Sequence, residues 1–318
     1  MMKAVVVYEP GGAEQLVYTD VPRPVRKDGW SLVRVRGFGV NHSEIFTRQG
    51  LSPSVVFPRI LGIECVGTVE ETTDVVRLPV GQRVVSIMGE MGRAFDGSYA
   101  EYVLLPNEQI YPVENDLPWD VFAAIPETYY TAFGSLKNLR IEDGHTVLVR
   151  GGASGVGIAF LRLLRAQFPH IQIDGTTRRV EMVEQLRTEG YNHVVIETNG
   201  ELNAEERYDR ILDLVGAAAM KDSMRHLASG GILCNTGQLG GKWYLEEFDP
   251  IVDLAEDAYL TSFYSGNVRV ERLRELFAYI GHYDVPVQPA RVFSLAETAE
   301  AHRWLEGQNG FGKAVVLL

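Results

Sequence analysis

Thr146-Val-Leu-Val-Arg-Gly-Gly-Ala-Ser-Gly-Val-Gly157 decides the fold of this 318-residue chain. A short apolar, β-branched run ends in a glycine cluster, and a helical pattern reaching about Phe168 opens immediately after it. Strand, glycine turn and helix in that order make the first half of a βαβ unit, with Ile171 to Thr176 as its second strand. Gly152, Gly155 and Gly157 let backbone approach a pyrophosphate closely. Val156 lies in the opening turn of the helix, whose N-terminus supplies amide donors and a partial positive charge. Against a strict G-x-G-x-x-G spacing, Ser154 stands at the second glycine position. A plain strand–turn–helix corner is the competing reading, and the second strand about 20 residues on favours a dinucleotide.

Which dinucleotide follows from the end of that second strand. An NAD site places Asp or Glu there to accept from the ribose 2′-hydroxyl, whereas here the strand ends in Thr176-Thr177-Arg178-Arg179. Two hydroxyls and two guanidiniums suit a 2′-phosphate, so NADP(H) is expected. Asp174 is the rival carboxylate, but strand alternation puts it earlier and on a different face from Thr177. Further cofactor contacts are expected at strand C-termini, at Leu214-Val215-Gly216 and at Thr236-Gly237. Phe263 and Tyr264, in the 240–265 loop, join that set.

Working outward, strands and helices alternate from about residue 118 to Asn235, the pattern of a doubly wound parallel sheet. Before it lie strand signals at Met2 to Tyr8, Ser31 to Val40, Cys65 to Glu70, Arg83 to Ile87 and Tyr99 to Leu105. Prolines at 53, 58, 79, 106 and 112 punctuate them, as in a compact β domain. After a helix near Glu271 to Ile280, strand signals return at Val285 to Phe293 and Ala314 to Leu318, separated by a helix over Leu295 to Glu306. The expected division is a β-rich domain over 1–118, rejoined by 267–318, and a Rossmann NADP(H)-binding domain over 119–266.

Acidic residues outnumber basic ones by 42 to 30, giving a net charge of −12 that disfavours nucleic acid and anionic membrane surfaces. No apolar run is long enough for membrane insertion and no leader pattern is seen, so a cytoplasmic location is expected. Two cysteines are too few for a disulfide framework or a four-thiolate zinc lobe. Both read as small buried residues.

Several further segments carry a family resemblance: Gly39-Val40-Asn41-His42-Ser43-Glu44, Gly62-Ile63-Glu64-Cys65-Val66-Gly67, Val80-Gly81-Gln82-Arg83-Val84, Gly97-Ser98-Tyr99-Ala100-Glu101-Tyr102, Thr131-Ala132-Phe133 and Gly312-Lys313-Ala314-Val315-Val316. In this order and spacing the chain resembles the medium-chain dehydrogenase/reductase superfamily, in particular its zinc-free NADPH:quinone oxidoreductase branch. The resemblance implies an α/β protein with a GroES-like β-rich domain, a Rossmann domain, a cleft between them, and a homodimer pairing sheet edges around residues 232–265. Where zinc-dependent members carry a cysteine and a histidine, this chain has Asn41 and Ile63, so no metal is expected. His42 is expected in the cleft wall. The resemblance places Asn41 beside the nicotinamide, with a turn cap as the alternative, and Thr131 and Lys313 near the cofactor. Ser43 matches a proton-relay hydroxyl, with helix capping equally open. Many quinone reductases carry tyrosine at the position of Phe46. Its absence leaves Tyr130, Tyr264 or water as proton donor.

Without a Lewis acid to acidify an alcohol, the feasible chemistry is hydride transfer from NADPH to an acceptor already electrophilic, a quinone or an α,β-unsaturated carbonyl. Phe57, Met88, Met91, Trp243 and Phe263 in the flanking loops imply a small apolar or aromatic substrate. A 2-enoyl thioester reductase and a cofactor-bound sensor with little chemistry are the alternatives.

Overall fold

The computed structural model describes residues 1–307 and 310–318, which divide into two compact units. The first comprises Met1–Thr128, Gly266–Val270 and Val287–Leu318, and the second Tyr129–Ser265 and Glu271–Pro286.

The second unit is built on the strand that opens the nucleotide loop. Val147, Leu148 and Val149 have no exposed surface, as a strand covered on both faces requires. Across the sheet the order is His193–Thr198, Gln172–Thr177, Thr146–Arg150, Tyr208–Asp213, Leu227–Asn235, Tyr259–Ser262, all parallel, with Glu201–Leu202 antiparallel at one edge. The strand order reverses between Thr146–Arg150 and Tyr208–Asp213, the crevice where doubly wound sheets bind ligands. The helix Gly155–Gln167 starts there, and Ser154 caps it by accepting the Gly157 amide at 3.1 Å. Gly157 is required by close approach: a Cβ would lie 2.7 Å from the Gly151 carbonyl oxygen.

The first unit holds two sheets. Leu16–Val21, Met2–Val7 and Arg59–Ile60 form the smaller one. The larger runs Arg291–Ser294, Ala314–Leu317, Trp30–Gly39, Glu64–Glu71, Arg83–Ile87, Tyr111–Pro112, with Tyr102–Pro106 also paired to Trp30–Gly39. The strand Ala314–Leu317 pairs antiparallel with Trp30–Gly39, so the C-terminal segment completes the sheet that the N-terminal third begins. Val33, Val35, Phe38, Cys65, Val103 and Val316 share one buried apolar cluster.

Three sequence expectations need correction. Residues 119–128 belong to the first unit, because the helix Trp119–Ala123 packs on the strands Trp30–Gly39 and Ala314–Leu317. Residues 271–286 belong to the second unit. There the amphipathic helix Val270–His282 sends the Tyr279 hydroxyl to the Leu163 carbonyl at 3.0 Å and sets its ring against Phe133. The strand expected over Val285 to Phe293 is confined to Arg291–Ser294. Among the described residues no helix is long and apolar enough to cross a membrane.

Candidate functional site

Each unit contributes a polar cluster at the segments that the sequence singles out. In the first, the strand Trp30–Gly39 delivers Asn41 to the start of the helix His42–Arg48. Asn41 is the N-cap residue, yet its side chain makes no capping bond. Its Nδ2 donates to Glu64 Oε1 at 2.8 Å, and its Oδ1 accepts from Lys313 Nζ at 2.6 Å. A carboxylate on one side and an ammonium on the other fix which way the amide points. The turn-cap alternative is therefore replaced by an orienting network.

Glu64 is the hub of that network. Its Oε1 also accepts from Lys313 Nζ at 2.6 Å, and its Oε2 accepts the Glu127 amide at 2.8 Å. Both members are buried, Glu64 at 0% and Lys313 at 5% exposure. Gly39 makes the pair possible, since a Cβ there would lie 2.1 Å from the Lys313 Cε. Lys313 is thus no solvated edge-strand lysine. Glu44, one turn into the helix, adds a second buried carboxyl: its Oε1 accepts the Ile63 amide at 3.2 Å and weakly the Asn41 amide at 3.4 Å. Its Oε2 is buried with no hydrogen-bond partner among the described residues. Burial pushes the Glu44 carboxyl up to about 7, with Lys313 opposing and Glu64 assisting.

His42 is held at about 4, chiefly by burial, and is a neutral imidazole at neutral pH. The Ser43 hydroxyl accepts from Arg93 Nη2 at 2.6 Å. Sequence reasoning passed over Glu44, Glu64 and Arg93. Glu64 carried a usable signal, a lone charge between Ile63 and Cys65-Val66 in a buried run. Arg93 carried none, because its position depends on how a loop folds.

In the second unit, the Gly151 amide donates to the Thr176 hydroxyl at 3.0 Å and the Gly152 amide to the Thr176 carbonyl at 3.1 Å. The Gly155 and Val156 amides meet no acceptor among the described residues, which leaves them free to hold a phosphate at the helix N-terminus. Thr176 is committed to the loop and to Glu197 Oε2 at 3.3 Å, and Thr177 accepts the Arg179 amide at 3.1 Å. Those hydroxyls organise the turn rather than reach outward. Arg178 is exposed, with no side-chain hydrogen bond or ion pair among the described residues, and Arg179 is partly buried. Asp174 is 2% exposed and accepts from the His193 amide and the Tyr208 hydroxyl, so it does not compete for a ribose.

Other expected contacts are engaged elsewhere. Asp213 Oδ1 takes the Val215 and Gly216 amides at 2.8 Å each, and the Leu214 carbonyl accepts the Leu239 amide. Thr236 shares its hydroxyl with Ser135 at 2.9 Å, and the Thr236 and Gly237 amides both return to the Asp213 carbonyl. Thr131 and Tyr130 are buried at 6% and 0% exposure. Phe263 fills the space above Gly134 and lies 5.9 Å from the Tyr130 ring, a packing residue rather than an open cofactor wall. Tyr264 is 61% exposed.

The metal question rests on donor chemistry. The Asn41 amide is committed to Lys313 and Glu64, and Ile63 is a buried hydrocarbon. Among the described residues no group of three or more His, Cys, Asp or Glu is placed to hold a metal ion. These residues do not fit a catalytic zinc.

Comparison with known proteins agrees with this architecture. Residues 27–115 match the family described as alcohol dehydrogenase GroES-like domain, and residues 173–316 match that described as zinc-binding dehydrogenase. The quinone oxidoreductase of Homo sapiens is 26% identical, covering 100% of this chain and 98% of that protein. That of Pseudomonas aeruginosa is 27% identical over the whole of both chains. A mycobacterial protein solved in complex with NADPH is 27% identical, with a TM-score of 0.83 and complete coverage of both chains. The fold of a Pseudomonas syringae quinone oxidoreductase superposes with a TM-score of 0.84 at 22% identity. From the Rossmann strand order, the GroES-like sheet completed by the C-terminus, and these full-length matches, the chain belongs to the medium-chain dehydrogenase/reductase superfamily, in its quinone oxidoreductase branch.

Proposed function

We propose that this oxidoreductase uses NADPH, without a metal, to reduce a quinone or an α,β-unsaturated carbonyl. The observation that carries the choice of cofactor is the exposed Arg178 at the end of the strand Gln172–Thr177, where the nearest candidate carboxylate, Asp174, is buried and already paired. A guanidinium there attracts a 2′-phosphate.

When bound, NADPH supplies hydride to an electrophilic carbon and becomes NADP⁺, while the acceptor's oxygen takes the displaced electron pair and then a proton. The chain's own residues do the holding. Gly155 and Val156 present amides to phosphate, and Arg178 and Arg179 supply positive charge. Asn41 is locked between Lys313 and Glu64, so it orients rather than titrates. Ser43 offers a hydroxyl to the substrate oxygen. Fully buried Tyr130 is a less suitable donor than water.

The same reading includes a cytoplasmic homodimer joined along the Tyr259–Ser262 edge, where Tyr259 is 63% exposed and Leu260 40%. The test is NADPH oxidation with a panel of quinones and enones, with and without chelator. Turnover insensitive to chelation is expected. Cofactor binding with no turnover on any member would favour the sensor alternative.

A further inference from the structure

We infer that Arg93 and Ser43 form an oxyanion-binding pair, in which the Ser43 hydroxyl contacts the substrate oxygen and Arg93 sets that hydroxyl's direction and polarity. The inference rests on the reductase reading and names a positioning residue for it.

Ser43 sits in the first turn of the helix His42–Arg48, where a serine hydroxyl ordinarily turns back onto the helix backbone. Here it instead accepts a hydrogen bond from Arg93 Nη2 at 2.6 Å. A hydroxyl that accepts from a permanent cation must point its own proton elsewhere, and its O–H is polarised by that bond. Both residues are partly exposed, so a ligand can reach that proton.

Arg93 is held there by a folded loop. Its amide donates to the Glu90 carbonyl at 3.0 Å, and the Gly92 amide donates to the Phe95 carbonyl at 2.9 Å. No carboxylate lies within ion-pair distance of Arg93 among the described residues, and its buried Nε has no hydrogen-bond partner. The nearby cation Lys313 is neutralised by Glu64, and His42 is uncharged at neutral pH. The uncompensated positive charge beside Ser43 is therefore that of Arg93. Charge developing on an acceptor's oxygen is best stabilised by a donor fixed in advance. This pair occupies the role that the Phe46 position leaves open, and it favours acceptors whose oxygen gains negative charge during reduction.

The test uses 4-nitrophenol, whose phenolate imitates such an oxygen and whose absorbance reports its ionisation without any turnover. Titrated into the NADP⁺-saturated protein across a pH series, the phenolate should bind at least about tenfold more tightly than the phenol, a preference worth about 1.4 kcal/mol. Arg93→Met should erase that preference, Arg93→Lys should keep part of it, and added guanidinium ion should restore it to Arg93→Met. Ser43→Ala should lose it as well, and the guanidinium rescue of Arg93→Met guards against a variant that merely unfolds. An undiminished preference in Arg93→Met, or no saturable phenolate binding to the wild type, overturns the inference. Arg93-dependent phenolate binding in a protein that does not oxidise NADPH would instead leave the pair standing and remove the reductase reading.

Discussion

The two units bury charge in opposite ways. In the second, Arg150 has no exposed surface and is saturated. It reaches Glu197 Oε2 at 3.1 Å and Asp222 Oδ2 at 2.8 Å, the Ala219 and Gly200 carbonyls, and the Ser223 hydroxyl. In the first, the ammonium of Lys313 pairs with Glu64 alone, the second buried carboxyl, Glu44, has no cation bonded to it, and among the described residues one of its oxygens has no partner. A fully satisfied buried ion is architecture: it fixes strand ends around the nucleotide loop at the cost of desolvation. An under-neutralised cluster stays electrically responsive, which is what a site handling proton and hydride chemistry needs.

The largest expected effect tests the architectural half. Arg150→Met strands two buried carboxylates and should cost about 3–5 kcal/mol of stability, read from the urea midpoint. Lys313→Met should cost less, because the neighbouring Glu44 carboxyl, pushed up to about 7 by burial, is readily protonated and then adds no negative charge to the one left behind. Equal losses would erase the distinction between the two clusters.

Next, Asn41→Ala should lower kcat by about 10²-fold, the scale of a misplaced reacting group, while NADPH affinity changes little. A parallel collapse of stability would make Asn41 structural, like Arg150. Arg178→Ala should then weaken NADPH binding by about tenfold and leave NADH binding unaltered, since the lost partner is the 2′-phosphate.

The effect most sensitive to pH concerns Glu44. Its carboxyl rises from an ordinary 4.5 to about 7 in the fold, so the folded state prefers the protonated form. That contribution is complete below pH 4.5 and is lost as pH rises through 7. Glu44→Gln cannot ionise, so it should be more stable than wild type by up to about 3 kcal/mol above pH 7, with the gain vanishing toward pH 4.5. His42 and His302, lowered to about 4 and about 3, act in the other sense. Their contribution is complete above 6.5 and is lost as pH falls, but it is common to both proteins and cancels in the difference. A gain independent of pH would mean that Glu44 is already ionised in the folded protein.

How much of this is legible in the sequence depends on range. The nucleotide loop is local: strand, glycines, cap and helix lie within one short window, and Ser154 at a glycine position proves to be the helix cap. The exposed position of Arg178 at the strand end was legible for the same reason. The return of the C-terminus to the first unit was visible as a recurrence of strand signals. The cluster at Asn41 was half legible, because Glu64 and Lys313 are far apart in sequence and meet only through antiparallel pairing with the strand Trp30–Gly39. That the amides of Val215 and Gly216 bond Asp213 was not legible, because the directions of that strand-end carboxylate's oxygens are set by the fold. Arg93 was invisible, since no periodicity announces a loop arginine beside a helix serine.

Calorimetric titration of the purified protein with NADPH and, separately, NADH tests the central claim most directly. Saturable binding of NADPH, at least about tenfold tighter than NADH, is the predicted result. No heat of binding with NADPH, or a preference for NADH, would contradict it.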